Sequence, residues 1–247
     1  KDAECRKLYS TIQRNAERIL QLVNQLMDIR KIDKGQMSLM FKKAEIVSFT
    51  RDLLETFEQQ TRVKKLDLKF HTSAPEIEMW IDPKNFDKII LNLLSNACKF
   101  TPENGQVEIS LSTGEDTHLP QNAPLRRYVE LTVADSGIGI ASTEREHIFE
   151  RFYQIRNSQN NSNIGTGIGL HLTRSLVELH YGNIHVEDNG EGRPGSRFII
   201  RLPLGNEHLK KEEIEEATTA DTLINIPAAE PATIVPPLPY DDDEEAS

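Results

Sequence analysis

The chain has 247 residues, with 39 acids against 29 bases and a formal net charge of −10. Twelve of those acids and two of those bases fall in residues 207–247, which leaves 27 of each in residues 1–206. A neutral body of this kind lacks the basic face that nucleic acid requires, and no segment approaches the ~18 consecutive apolar residues that span a bilayer. Of the two cysteines, Cys5 and Cys98, the second lies in an apolar helical stretch and reads as a buried thiol rather than half of a disulfide. The first residue is Lys1 rather than Met, so the sequence is expected to be an excerpt of a longer polypeptide.

Residues 3–34 read as one long helix. Leu8, Asn15, Leu22 and Ile29 recur every seven residues, with Ile12, Ile19 and Leu26 on the interleaved position, which is the seam of a coiled coil or helical bundle. Ala16 and Val23 widen the stripe as a four-helix bundle prefers, and Gly35 stands at a C-cap position. An amphipathic helix packed on its own domain is the plainer alternative. From 37 to 205 the signals alternate, with strands expected over 38–42, 66–71, 77–81, 105–113, 127–135, 183–188 and 196–203. Helices are expected over 46–63, 83–100, 141–150 and 169–181, the second opened by Pro83 after Asp82. Residues 114–126 carry two prolines and no periodicity, so they read as a loose connection. Helices on one face of a mixed sheet make an α+β fold, a two-layer α/β sandwich. Residues 206–247 open with a short charged helix candidate and continue as an acidic, Pro-rich linker of disordered composition.

Four short segments carry the chemistry. Asn92 and Asn96, one helical turn apart, share a helix face. Mg²⁺ takes oxygen ligands and is commonly held by few protein groups together with phosphates, so two amide oxygens at that spacing suit it. Lys99 can reach the same phosphates as a point charge, although a pair of surface asparagines would show the same spacing. Asp135 closes a strand, and Ser136-Gly137-Ile138-Gly139-Ile140 forces a tight turn. A carboxylate there can accept from the exocyclic amino group of adenine, while Gly137 and Gly139 let the base approach the backbone. An Asx turn closing a strand is the plain alternative. Phe149-Glu150-Arg151-Phe152-Tyr153 is followed by a polar stretch from Gln154 to Asn163, too long for a simple connection and read as a mobile lid. Gly165-Thr166-Gly167-Ile168-Gly169-Leu170 then runs into a helix whose N-terminal amides and dipole suit phosphate. The spacing is neither that of a P-loop nor that of a Rossmann fingerprint. His147, His171, His180 and His185 show no metal-ligand spacing and read as packing or surface residues.

Taken in order, Asn92 to Thr101, Asp135 to Ile140, Phe149 to Tyr153 and Gly165 to Leu170 resemble the N, first G, F and second G boxes of sensor histidine kinases. Gly195-Ser196-Arg197-Phe198 resembles the small Gly-Ser/Thr-x-Phe motif of that family's last strands. The resemblance implies a Bergerat-type ATP-binding sandwich over 37–205. Before it, residues 1–35 would be the second helix of a dimerisation and phosphotransfer hairpin, and after it 206–247 would be the linker of a hybrid kinase. It further implies Mg²⁺ and phosphate at Asn92 and Asn96, phosphate at Lys99 and adenine at Asp135. Nucleotide contacts are implied for Phe100, Gly137, Gly139, Ile140, Tyr153, Gly165, Thr166, Gly167, Gly169, Leu170 and Ser196. Phe100 stands where the family often has Tyr, which keeps stacking but not a phenol hydrogen bond.

The implied activity is binding of Mg·ATP and donation of its γ-phosphoryl group to a histidine on an upstream helix, in the cytoplasmic portion of a membrane-anchored sensor kinase. The implied partners are a second copy through the helical hairpin, the phosphoacceptor histidine domain and a response-regulator receiver domain, with no nucleic acid. One departure is plain: no histidine precedes His71, which lies in a strand without the acidic and Thr-Pro neighbours of a phosphoacceptor. Two other functions stay open. One is a hydrolase like the gyrase and MutL ATPases, which place a general-base Glu where this chain has Asn92; the other is a dimerisation scaffold whose nucleotide site has decayed.

Overall fold

In the computed structural model, which describes residues 2–155, 166–190 and 192–215, the N-terminal seven-residue repeat forms a single helix, α1 (Asp2–Asp33). Gly35 takes φ +61° and donates to Ile32 O at 2.9 Å, while Gln36 N–H reaches Lys31 O at 2.8 Å, the Schellman closure that only a residue tolerant of positive φ completes cheaply. Leu8, Ile12, Ile19 and Leu26 are exposed along α1, whereas Ile29 is only 6% exposed and joins the core. Ion pairs from Asp28 to Lys88, at 2.8 Å, and from Asp33 to Arg151 fasten this end of α1 to the body. The last turns of α1 therefore pack on the chain's own domain, and the apolar stripe before them stays uncovered. No helix among the described residues is long and apolar enough to cross a membrane.

The body follows as β1 (Lys42–Glu45), α2 (Ile46–Val63), β2 (Asp67–Thr72), β3 (Glu78–Ile81), α3 (Pro83–Phe100), β4 (Gln106–Glu115) and β5 (Arg127–Asp135). It closes with α4 (Gly169–Leu179), β6 (Asn183–Asp188) and β7 (Ser196–Pro203). Five strands form one sheet in the order β2-β4-β5-β7-β6, with β2 parallel to β4 and every other pairing antiparallel, and β1 pairs β3 in a separate ribbon. Val107, Ile109 and Leu111 of β4 alternate inward with Val129, Leu131 and Val133 of β5, as a half-buried sheet demands. Against that face lie Ile89, Ile90, Leu93, Leu94 and Ala97 of α3 and Leu172, Leu176 and Val177 of α4, giving the two-layer α+β architecture.

α3 is the helix with the best-defined ends. Asp82 caps it, accepting from Asn85 N–H at 3.0 Å, and Pro83 takes the first helical position, where its missing N–H costs nothing. At the other end Lys64 Nζ donates to the carbonyls of Cys98, Lys99 and Thr101 at 2.8, 3.1 and 3.0 Å, satisfying acceptors that the helix leaves open.

Three expectations change. The first strand runs over Lys42–Glu45 rather than 38–42, because its ladder partner is β3 and the preceding stretch is held singly, by Met40 N–H on Asp82 and by a lone bridge at Phe41. Residues 141–150 do not form a helix; they contain turns and one 3₁₀ turn, His147–Phe149. Neighbouring charges there are drawn apart, Arg145 to Asp188 and Glu146 to Arg174, while Ile148 and Phe149 are buried. The segment from 206 to 215 is not loose linker. Phe41 N–H bonds Glu213 O at 2.7 Å, Glu215 N–H bonds Phe41 O at 3.0 Å, and Tyr181 Oη donates to Glu213. The helix expected at its start is a single 3₁₀ turn, Lys211–Glu213, and the rest of the acidic tail, 216–247, lies outside the described residues.

Asp87 on α3 is a carboxyl the fold tolerates at a cost. Burial, only partly offset by the Lys88 N–H and the Lys88 charge, pushes it up to about 6, and its Oδ1 finds no hydrogen-bond partner among the described residues. A carboxyl whose folded pKa exceeds its unfolded value destabilises above the folded pKa and ceases to do so below the unfolded one. Asp87→Asn is therefore expected to raise stability at pH 7 by up to about 3 kcal/mol, with the gain shrinking as pH falls from about 6 towards 4. Denaturant melts of both chains at pH 7 and pH 4.5 check this, and an equal difference at the two pH values contradicts it.

Candidate functional site

The site residues come together because four elements end at one place. α3 runs past the turn that follows β5, and β7 starts beside that turn; further along α3, Asn92 meets the first turn of α4. Asp135, the last residue of β5, is 7% exposed. Its Oδ1 accepts from Gly137 N–H at 2.8 Å, and the Ser196 N–H also faces the carboxylate. Burial raises the pKa of this carboxyl above the usual Asp value, and the two amides only partly hold it down. The Asx turn weighed for Asp135 is thus present, and it aims a buried carboxylate rather than merely closing a strand.

The glycines around Asp135 are close approaches. A Cβ on Gly137 would lie 2.5 Å from Phe100 O, which places the last turn of α3 directly against the turn. Gly139 has φ +74° and faces Gly195 O, 3.2 Å from where its Cβ would stand. Ile140 packs on the core and Ser196 is buried. Phe100 is 38% exposed at the rim, with Lys99 Nζ 4.9 Å above its ring. Lys99 is half-buried, and burial together with the nearby Arg18 charge lowers its pKa.

Asn92 donates through Nδ2 to Thr173 Oγ1 at 2.7 Å. With the nitrogen so engaged its Oδ1 is the acceptor left, and it faces the first turn of α4: a Cβ on Gly169 would be 2.4 Å from it. Asn96 sits half-buried one turn further along α3. The first residues of α4 have no side-chain cap, so their amides stay available at the positive end of the helix. Thr166 precedes them and accepts from Ile168 N–H, and Leu170 packs on the core.

The F-box residues brace this region. Phe152 N–H bonds Gly167 O at 2.8 Å, and Gly167, at φ +69°, has no room for a side chain beside Phe152. Tyr153 packs on the core, and its hydroxyl donates to Glu144, so in this structure the phenol is a brace between turns. Arg151 bridges Asp33 of α1 and His171 of α4. Gly165 and residues 156–163 of the expected lid lie outside the described residues.

Three contributors were not expected from sequence: Lys64, Thr173 and Asn189. Thr173 lies one turn beyond Gly169, a spacing that could have flagged it as a neighbour of the phosphate-facing turn. A lysine after a surface helix and an asparagine in a hairpin loop carry no such signal. Of the histidines, His180 is buried, with Nδ1 on Leu176 O and Nε2 accepting from Asp82 N–H, while His147 and His185 pair with acids at the surface.

Residues 81–206, more than half of the chain, match the family described as histidine kinase-, DNA gyrase B- and HSP90-like ATPase. The chain belongs to that family. It is 38% identical over 198 residues to sensor histidine kinase TmoS of Ectopseudomonas mendocina, covering 80% of this chain and 19% of that protein. It is 34% identical over 223 residues to hybrid signal transduction histidine kinase D of Dictyostelium discoideum, covering 89% and 14%. Full-length ShkA, solved in complex with AMPPNP, superposes with a TM-score of 0.65 at 25% identity, over 81% of this chain and 39% of that one. The nucleotide-free catalytic domain of histidine kinase ThkA gives 0.55 at 25% identity, over 67% and 99%. The chain spans about a fifth or less of the length of these two curated kinases.

Two glycine substitutions separate framework from site. At Gly169 the atom in the way is the end of a side chain, in a helical turn where Ala is otherwise the better residue, so Gly169→Ala is expected to leave the melting temperature near the parent value while displacing Asn92. At Gly137 the obstacle is backbone, so Gly137→Ala is expected to cost roughly 1–3 kcal/mol. Thermal melts, with the Asn92 side-chain amide resonance as reporter, distinguish the two; equal destabilisation by both runs against the geometry.

Proposed function

We propose that this chain binds Mg·ATP and donates the γ-phosphoryl group to a histidine on a helix that packs against α1, as the kinase step of two-component signalling. The observation that carries the reading is Asp135: a buried carboxylate aimed by Gly137 N–H at the end of β5, beside glycines that keep the backbone open to a flat base. In this reading Asp135 accepts from the exocyclic amino group of adenine, and Gly137, Gly139 and Ile140 wall the base together with Phe100 and Ser196. Thr166, Gly167, Gly169 and Leu170 carry the chain into the uncapped amides of α4, which take the phosphates, with Tyr153 on the flank; Gly165, assigned to the same contacts, lies outside the described residues. Lys99 adds a positive charge on the same side.

The donor set fits Mg²⁺, since Asn92 offers Oδ1 with its nitrogen already committed to Thr173, and Asn96 follows on the same face. When bound, the ion neutralises phosphate charge as the phosphoryl group leaves. What the chain itself does is bind, orient and exclude water, which is most of what phosphoryl transfer asks of a protein. Hydrolysis is disfavoured by the same residue: an amide held by Thr173 cannot take a proton from water.

The uncovered stripe of α1 is offered to a hairpin partner helix and, through it, to a second copy of the chain. A response-regulator receiver domain is the phosphoryl acceptor downstream. The setting is the cytoplasmic side of a membrane-anchored sensor. Against the scaffold alternative stand the Asn92 amide oriented by Thr173 and the Asp135 carboxylate oriented by the Gly137 N–H.

Calorimetric titration with Mg·ATP tests the reading. Magnesium-dependent binding is expected, weakened about tenfold or more by Asn96→Asp and by Asp135→Asn, and a folded chain that takes up no nucleotide refutes it. Asp135→Asn removes a buried charge, so its melting temperature at pH 7 is not expected to fall. The pH dependence follows from the raised pKa of Asp135. Recognition needs the ionised form, so affinity is full above that raised value and declines as pH drops through it; a titration series at falling pH checks this, with Asp135→Asn flat over the same range.

A further inference from the structure

The ladder between β5 and β7 stops one residue short of Asp135. The last paired residues are Ala134 and Arg197, and beyond them β7 is preceded by Gly195 at φ +102°, whose backbone turns away. That leaves the main-chain carbonyl of Asp135 without a ladder partner from β7, at the residue whose side chain must be aimed. The Asn189 side chain, from the loop between β6 and β7, fills the vacated position: its Nδ2 donates to Asp135 O at 2.5 Å and to Pro194 O at 2.8 Å. The amide thus imitates a backbone N–H and closes its own loop in the same act. Contact is tight around it, for a Cβ on Gly195 would lie 1.7 Å from Asp135 O and 2.9 Å from Asn189 Nδ2. Asn189 Oδ1 is itself buried and has no partner among the described residues, so the orientation of the amide is fixed by its two donor bonds alone.

We propose that Asn189 is a positioning residue for the site, one that holds the Asp135 backbone in the plane of the sheet so that the carboxylate stays on the Gly137 amide. The inference rests on the nucleotide-binding role given to Asp135 above. It assigns work to a loop outside the four boxes, and it makes the β6–β7 hairpin part of the adenine pocket's support rather than a surface turn. Without the Asn189 donor the Asp135 carbonyl is a buried acceptor with no strand partner on that side, and the peptide that follows it is free to rotate.

The test uses Asn189→Asp, equal in shape but with no donor, Asn189→Ala, and Asn189→Ser, which keeps a donor on a shorter arm. The expected result is Mg·ATP binding weakened about tenfold by Asp and Ala, the scale of one buried hydrogen bond, with Ser in between. Melting temperatures should fall by only the few degrees that one unsatisfied carbonyl is worth, and hydrogen exchange of the Gly137 amide should quicken in the same order. Unchanged affinity and unchanged Gly137 protection overturn the proposal. So does weaker binding in which exchange quickens throughout β6 and β7, since that marks general loosening. If the parent chain binds no nucleotide, the functional reading fails, and the Gly137 exchange rates in the three variants still decide whether Asn189 positions Asp135.

Discussion

The site hangs on the contact between the last turn of α3 and the turn after β5. Phe100 O lies so near Gly137 that no side chain fits between them, which means the helix bearing Asn92, Asn96 and Lys99 and the strand bearing Asp135 are set by one van der Waals distance. Everything that steadies α3 therefore steadies both halves of the pocket. Asp82 and Pro83 fix its start, His180 ties that start to the end of α4, and Lys64 gathers three carbonyls at its finish. A lysine with its ammonium buried against three acceptors is costly to form, and burial lowers its pKa accordingly. Its position is justified by what it holds in place.

Two carboxyls on neighbouring elements, Asp135 buried and Asp87 half-buried, show how differently the fold treats charge. Asp135 and Asp87 are both pushed upward by burial. Asp135 has amides aimed at it and sits where a ligand can complete its hydrogen bonding. Asp87 has an oxygen with no partner among the described residues and no place in the pocket as described. The first carboxyl is partly repaid by the Gly137 and Ser196 amides, and the second has only the Lys88 N–H and charge beside it.

Much of this was legible in the chain. The heptad pattern and Gly35 located α1 and its end, the Asp82-Pro83 pair located the start of α3, and the Asn, Asp and Gly segments singled out in the chain are ones that meet in the fold. What escaped was decided by partners distant in sequence. Residues 38–40 look like the start of a strand but have no ladder neighbour, and 141–150 look helical but their charges are claimed by β6-side and α4 residues. Asn189 and Lys64 were invisible because a side chain that serves a distant carbonyl leaves no periodic trace. Tyr153 was expected to contact nucleotide, and in this structure its phenol reaches Glu144, a contact that no spacing rule foretells.

The bridge between Phe41 and Ile214 has a mechanical meaning. The chain comes into the body along the stretch after α1 and leaves it along the stretch ending at Glu215, and at this seam the two run in the same direction. A pull applied between α1 and whatever is joined past Glu215 would drag one segment backward and the other forward. Its two backbone bonds, with the Lys42–Glu215 ion pair beside them, would then be loaded together in shear rather than opened in turn. The inlet and the outlet of the body are thus riveted to each other by contacts that lie outside the candidate site.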